Sequence, residues 1–195
     1  MKILFLTNKQ AEHKEEIIDF IQYYDDQVII HFDRFDIDFV KNKKIDFIVS
    51  DRYQYIVSAD IISFIEGNAI NTHPSLLPLQ RGYQPNFFSI YHNTKKGVSI
   101  HYMDEGLDTG NILVQKELFF NEDDTLRTSH YICRKTIVYL FCSNWYKIKN
   151  GKMKSRYQDK GGNMNNKRDF ERIFSGFPKG WDTKIKDVKN KFMIP

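Results

Sequence analysis

The sequence predicts an α/β fold, with a mostly parallel central sheet that has an antiparallel part and is flanked by helices. Two patterns carry this reading. Over the first 75 residues, short apolar runs rich in β-branched side chains alternate with segments of helical periodicity. That order builds a parallel sheet with helices on both faces. Beyond residue 95 the pattern changes to two alternating runs joined by a turn-rich loop, as expected of an antiparallel pair.

The elements follow in order. MKILFLT is the first buried strand. Residues 11–24 form a helix with Ile17, Ile18, Phe20 and Ile21 on its apolar face. QVIIHF and KIDFIVS are the second and third strands. A short helix over residues 59–66 opens at Ser58, a plausible N-cap. NAINTH is the next strand and leaves through Pro74. Residues 96–103 and 111–116 are the antiparallel pair, and the loop between them is Asp104-Glu105-Gly106-Leu107-Asp108-Thr109-Gly110. A long helix starts at Asp123 or Asp124 and ends near Asn150-Gly151. A polar stretch follows, with a short helix over residues 169–174. The division expected is a catalytic domain over residues 1–150 and a short C-terminal extension over 151–195, packed on it.

Composition narrows the function classes. The chain has 195 residues, of which 41% are hydrophobic and 15% aromatic, enough for a sizeable core. No run is apolar enough to span a membrane, and the N-terminus turns polar too soon for a signal peptide. Cys133 and Cys142 lie on one helix, nine residues apart, which argues against a bridge between them. Lone thiols and no export signal favour the cytoplasm. The net charge of +4 gathers between Lys147 and Lys191, among acidic and amide residues. That is the pattern of a solvated basic face, and it also suits a phosphorylated small molecule; a polynucleotide would draw a denser patch.

Several motifs are missing. No GxGxxG follows the first strand, which leads instead into Thr7-Asn8-Lys9-Gln10. There is no P-loop, no GxSxG and no Cys/His set with zinc spacing, so no metal is expected. His13, His31, His92 and His130 read as structural or exposed. Asn71 and His73 differ, because positions i and i+2 of a strand share one face, here at its carboxyl end, where open α/β sheets bind ligands. An amide and an imidazole converging there could hold a developing oxyanion and move a proton. They could equally be a satisfied strand end. Asp108, in its glycine-flanked loop, is either a turn aspartate or a carboxylate that raises the pKa of His73.

NTHPSLLPLQRG followed by GVSIHYMDEGLDTGNILVQK resembles the paired signature of the N10-formyltetrahydrofolate-dependent formyltransferases. The likeness covers about residues 45 to 140. It implies a Rossmann-like domain and a catalytic trio of Asn71, His73 and Asp108, set within the later His101, Asp104, Asp108 and Gly110 motif. By the family's logic an acceptor amine attacks the formyl carbon. Asn71 and protonated His73 stabilise the tetrahedral oxyanion, and Asp108 supports the imidazolium and helps remove the amine proton. The resemblance also assigns the folate to Tyr53, Gln54, Tyr55 and Ile56 together with the loop from Asp104 to Asp108.

Within the family, the run Gln80 to Ile90, Ser50 to Ile56 and the GGNMNNKRDFERI…GWDT tail resemble the sugar N-formyltransferases. That branch implies an amino sugar carried by a nucleoside diphosphate, dTDP favoured, for cell-surface polysaccharide such as the O-antigen of lipopolysaccharide. Lys9, Arg81, Gly82, Tyr83, Pro85 and Asn86 are the expected acceptor contacts, with cations for the diphosphate. Tyr83, Phe87, Tyr157 and Trp181 are candidates to stack on the base, or plain packing. A homodimer is compatible with the branch; nucleic-acid and membrane partners are not expected. The alternative is a phosphoribosylglycinamide formyltransferase of purine synthesis. Size favours it, and the lack of a glycine-rich phosphate loop after the first strand opposes it. A methionyl-tRNA formyltransferase would need a C-terminal β-barrel that residues after 150 leave no room for.

Overall fold

The computed structural model describes residues 1–159 and 161–192. Strands β1 (Lys2–Leu6), β2 (Gln27–His31), β3 (Phe47–Asp51) and β4 (Ala69–His73) follow in chain order. A two-residue strand β5 (Arg81–Gly82) precedes β6 (Lys96–Tyr102) and β7 (Ile112–Leu118), and β8 (Met164–Asn165) lies near the C-terminus. The main sheet has the order β2-β1-β3-β4-β6-β7, and β5 pairs with β8 in a separate two-stranded ribbon. β2, β1, β3 and β4 are parallel. β6 runs antiparallel to both β4 and β7. The mixed sheet expected from the change of pattern after residue 95 is therefore present, and it turns antiparallel where β4 meets β6.

The helices are α1 (Lys14–Tyr23), α2 (Ile37–Lys43), α3 (Ala59–Phe64), α4 (Pro85–Tyr91), α5 (Leu126–Lys149), α6 (Lys167–Phe174) and α7 (Ile185–Phe192). One face of the sheet packs Phe5, Val49, Ile70 and Ile100 against Ile17 and Ile21 of α1 and Ile137 and Phe141 of α5. The other face packs Leu4, Leu6 and Ile48 against Val40 of α2 and Ile61 of α3. Strands buried on both faces read as unbroken apolar runs, which is why MKILFLT and KIDFIVS stand out. A third cluster joins Phe87 and Phe88 of α4 to Phe170 of α6 and Val188 of α7. It fastens the C-terminal segment to the start of α5.

Boundaries differ from expectation for local reasons. α1 begins three residues late because the chain turns through residues 8–13 and His13 sits in the left-handed region at φ 63°. Phe20 is only partly buried against the core. α5 begins after Asp123 and Asp124 because Thr125 is the cap: its hydroxyl accepts from the Thr128 N–H, and the Thr128 hydroxyl accepts in return from the Thr125 N–H. Ser58 stands at the N-cap of α3 but makes no side-chain cap bond. Helices α2, α4 and α7 have no counterpart in the predicted elements. α4 buries six of its residues, Pro85 to Ile90, so it carries no amphipathic stripe to detect. Cys133 and Cys142 are both free, and among the described residues no helix is long and apolar enough to cross a membrane.

One ion pair ties the layers together. Asp51, the last residue of β3, accepts from both terminal nitrogens of Arg134 on α5 at 2.7 Å each, and from the Thr72 hydroxyl of β4 at 2.5 Å. Asp51 and Arg134 are almost completely buried. Burial pushes the Asp51 carboxyl up, and the charge and hydrogen bonds of Arg134 outweigh it, leaving the group below the ordinary carboxylate range. Removing one partner strands the other charge in the core. Arg134→Met is expected to lower unfolding free energy by about 3–5 kcal/mol, and the double variant Asp51→Val/Arg134→Met to recover part of it. Equal losses in urea denaturation for the single and double variants would contradict a stranded charge as the cause.

Candidate active site

β4 delivers Asn71 and His73 to the carboxyl end of the sheet, on one face. Thr72 between them points the other way, to Asp51. The loop after β6 brings the third group. Asp104 closes that loop by accepting from the Gly106 N–H at 3.1 Å and the Thr109 hydroxyl at 2.6 Å. Gly110 passes directly against the Tyr102 carbonyl, where a Cβ would overlap it. Asp108 then stands in the left-handed region at φ 56°, with its carboxylate turned inward.

The three groups meet. Asn71 Nδ2 donates to Asp108 Oδ1 at 3.1 Å, and His73 Nδ1 lies 3.6 Å from Asp108 Oδ2. The Gly82 N–H donates to Asp108 Oδ2 at 2.9 Å. His101 completes the ring. Its Nδ1 donates to the Tyr102 carbonyl at 2.7 Å, which leaves Nε2 as an acceptor 3.2 Å from Asn71 Nδ2. Both N–H groups of Asn71 are thus spent inward, and Asn71 can serve a reacting oxygen only by giving up one of them. Of the two, the bond to the ionised carboxylate is the stronger.

His73 is held from the other side as well. Its Nε2 donates to the Gln80 carbonyl at 3.0 Å, so Nδ1, facing Asp108, is the nitrogen free to take a proton. Burial holds His73 below the ordinary histidine value; the nearby Asp108 charge opposes this without overcoming it. Burial thus favours a neutral ring at rest, whereas the resemblance implies a protonated His73 at the tetrahedral stage. For Asp108, burial raises the pKa. The adjacent His73 and His101 rings, which favour the carboxylate form, and the Gly82 N–H outweigh it, and the group lies well below the usual carboxylate range. A neutral base beside an ionised carboxylate can accept a proton from an attacking nucleophile and keep the resulting cation stabilised.

Two cavities open on the sheet. One, of about 460 Å³, is lined by Gly67, Asn68, Tyr102, Met103, Asp104 and Gly110 among others, where β4 begins and β6 ends. The second, of about 440 Å³, is lined by Asn8, Lys9, Gln10, Phe32, Arg52 and Gln54 among others, at the carboxyl ends of β1, β2 and β3.

Comparison with known proteins fits this arrangement. Residues 6–136 match the family model described as formyl transferase. The chain belongs to the formyl transferase family. It is 34% identical over 122 residues to the methionyl-tRNA formyltransferase of Fusobacterium nucleatum subsp. nucleatum, a match that covers 62% of this chain and 39% of that protein. The chain thus spans well under half the length of the curated relatives it matches. The formyltransferase PseJ from Anoxybacillus kamchatkensis, solved with UDP-4,6-dideoxy-4-formamido-L-AltNAc and tetrahydrofolate, superposes with a TM-score of 0.92 at 37% identity, over 99% of this chain and 100% of that one. A 4-N formyltransferase from Francisella tularensis superposes with a TM-score of 0.74 at 25% identity, over 89% and 79%. The Rossmann-like fold of these formyltransferases is the fold of this chain.

The remaining predicted residues divide. Tyr53 packs on the same apolar cluster as Met103. The Tyr53 hydroxyl donates to the Asp33 carbonyl at 2.5 Å, and burial pushes its pKa up to about 12. Arg34 lies over the Tyr55 ring at 4.9 Å, and Ile56 is exposed. Lys9 lines the second cavity with Gln54. Arg81, Gly82 and Tyr83 lie beside the trio through β5. Pro85 and Asn86 do not face it: both are buried at the start of α4, where the Asn86 amide donates to the Ser129 hydroxyl at 2.9 Å and accepts from Cys133 Sγ. Their expected contact with an acceptor is therefore corrected to packing. Phe87 is core, and Trp181 lies against Phe174 with ring centres 4.8 Å apart. Tyr83 and Tyr157 keep exposed rings.

Sequence reasoning missed Gln80, His101 as a partner of Asn71, and the C-terminal amides. Gln80 is wholly buried at φ 57°. Its side-chain oxygen accepts from Asn163 at 2.7 Å and Asn165 at 2.9 Å. These are contacts across more than 80 residues, with no local pattern to announce them. Gly82, at φ 83°, leaves no space for a Cβ against the Asn165 carbonyl. Gly82→Ala is expected to cost about 1–3 kcal/mol from backbone strain, read by urea denaturation. An unchanged midpoint would show that the ribbon of β5 and β8 yields freely.

Proposed function

We propose that the protein transfers a formyl group from N10-formyltetrahydrofolate to the amine of a nucleotide-linked amino sugar, for cell-surface polysaccharide. The observation that carries the reading is the meeting of Asn71, His73 and Asp108 at the carboxyl end of the sheet. Beside them stands Arg81, which forms no ion pair among the described residues and whose only side-chain hydrogen bond there is to the neutral Gln158 amide. The family match and the full-length likeness to a sugar formyltransferase support it.

The folate is assigned to Tyr53 to Ile56 and the loop from Asp104 to Asp108, with Tyr53 and Met103 both packed on the apolar cluster of Leu4, Leu6 and Ile48. N10-formyltetrahydrofolate, when bound, supplies the formyl carbon. The side chains then have separate roles. Asn71 turns one N–H from His101 to the reacting oxygen. His73 accepts the proton of the attacking amine at Nδ1. Asp108 stabilises the imidazolium so formed, and that proton passes to N10 as the bond between N10 and the formyl carbon breaks and tetrahydrofolate leaves. Arg81 and Lys9 answer the diphosphate, a compact dianion. The rate comes from positioning and electrostatics.

The sequence favours dTDP as carrier, and two neighbours solved with dTDP compounds, at 22% and 21% identity, share the fold. The relative that spans 99% of the chain holds a UDP-linked 4-formamido sugar. That weighs toward uridine and a 4-amino sugar as this chain's substrate. A panel of UDP- and dTDP-amino sugars with N10-formyltetrahydrofolate, read by mass spectrometry, is expected to give formylated product with the highest kcat/KM on a UDP-linked 4-amino sugar. No product from any nucleotide sugar would remove this function, and a preference for dTDP would restore the carrier that the sequence favours.

His73→Asn is expected to lower kcat by about 10²–10⁴-fold with circular dichroism and Tm unchanged; a near-native rate would take His73 out of the chemistry. Because His73 works as a neutral base and burial lowers its pKa, protonation abolishes turnover only in acid. The acid limb of kcat is expected below the ordinary value of 6.5. A limb above that value would mean that the ring works protonated.

A further inference from the structure

After α5 the chain returns along the site. The Arg156 N–H and carbonyl pair with Ile112, and two residues later Gln158 reaches in. Its Nε2 donates to the Asp108 carbonyl at 2.9 Å and to the Gly110 carbonyl at 2.7 Å. Its Oε1 accepts from a terminal nitrogen of Arg81 at 3.1 Å. Chemistry fixes this orientation, because a guanidinium only donates and a backbone carbonyl only accepts. A carboxylate at this position could not donate to the two carbonyls, and an ammonium could not accept from Arg81.

Arg81 is the cation nearest the trio. Its Nε is buried without a partner, and β5 carries it next to Gly82, whose N–H donates to Asp108. A neutral amide holds the guanidinium in place and leaves its charge for a ligand. The same amide grips the carbonyls on either side of the turn that keeps Asp108 in the left-handed region.

We propose that Gln158 is a positioning residue that joins the anion-binding Arg81 to the loop carrying Asp108, so that one amide sets both the acceptor's diphosphate and the catalytic carboxylate. The inference rests on the sugar-nucleotide reading of Arg81 above. It predicts different responses to two substitutions. A carboxylate at 158 releases the two carbonyls and, in addition, neutralises Arg81 and competes with the diphosphate. A thioether at 158 keeps the stem and removes all three hydrogen bonds, leaving Arg81 charged and the Asp108 turn unheld.

The test uses Q158E and Q158M in the full chain. It measures steady-state kinetics with N10-formyltetrahydrofolate and a UDP-linked 4-amino sugar, UDP binding by calorimetry, and Tm. For Q158E, the KM for the sugar nucleotide and the Kd for UDP are expected to rise roughly tenfold. For Q158M, kcat is expected to fall roughly tenfold or more, with a smaller change in UDP affinity than in Q158E. A purely structural role would lower Tm in both variants and move KM and kcat alike. If Q158M fails to fold, Q158E decides alone. An active wild type with Q158E within twofold of it in both KM and UDP Kd overturns the inference and leaves the formyltransferase reading standing. A wild type that neither forms product nor binds UDP overturns the reading of Arg81, and the inference with it.

Discussion

The buried pair of Asp51 and Arg134 is the constraint on which the rest is built. Asp51 ends β3, Arg134 sits in the middle of α5, and Thr72 hangs its hydroxyl on the same carboxylate. Thr72 separates Asn71 from His73. Fixing its side chain on one face therefore fixes the direction of the two functional side chains on the other. Desolvating two charges is costly, and such a pair is weak support for stability as such. Here it locks the register between a strand end and the longest helix, at the place where the trio forms.

From that anchor outward, main-chain atoms hold much of the site. The Gln80 carbonyl selects the tautomer of His73, and the Gly82 N–H bonds Asp108. Arg52, Gln80, Gln84 and Asp108 all occupy the left-handed region without being glycine. Such residues persist where the surroundings over-determine them. The surroundings here are amides: Asn163 and Asn165 on Gln80, and Gln158 on the loop after β6. Neutral amides can satisfy both carbonyls and N–H groups without adding charge to a site whose reaction depends on the charges it already has.

This division explains what could be read from the sequence. The i, i+2 spacing of Asn71 and His73 and the glycine-flanked loop of Asp108 are local features, and the sheet brings them together as their positions suggest. The strands β1, β3 and β4 were equally legible, being largely buried on both faces. Pro85 and Asn86 misled because a motif-like run places residues in order along the chain without saying which way they face; the all-round burial of α4 turns them inward. The two-residue strands β5 and β8 lie too far apart for any periodic signal. The opposing pull of burial on His73 was not legible either, since a carboxylate neighbour is visible in a motif and the depth of burial is not.

The path of residues 156–165 has a consequence for how the protein comes into being. The main sheet, the helices on its two faces and all three members of the trio precede residue 150, yet the bonds that settle Gln80, β5 and the Asp108 loop come from the chain beyond it. During synthesis the N-terminal part forms first. It emerges from the ribosome with its reacting groups present and their backbone supports missing. The segment after residue 150 arrives later, and it fastens a scaffold already standing. In this chain the chemistry is written early and made usable late.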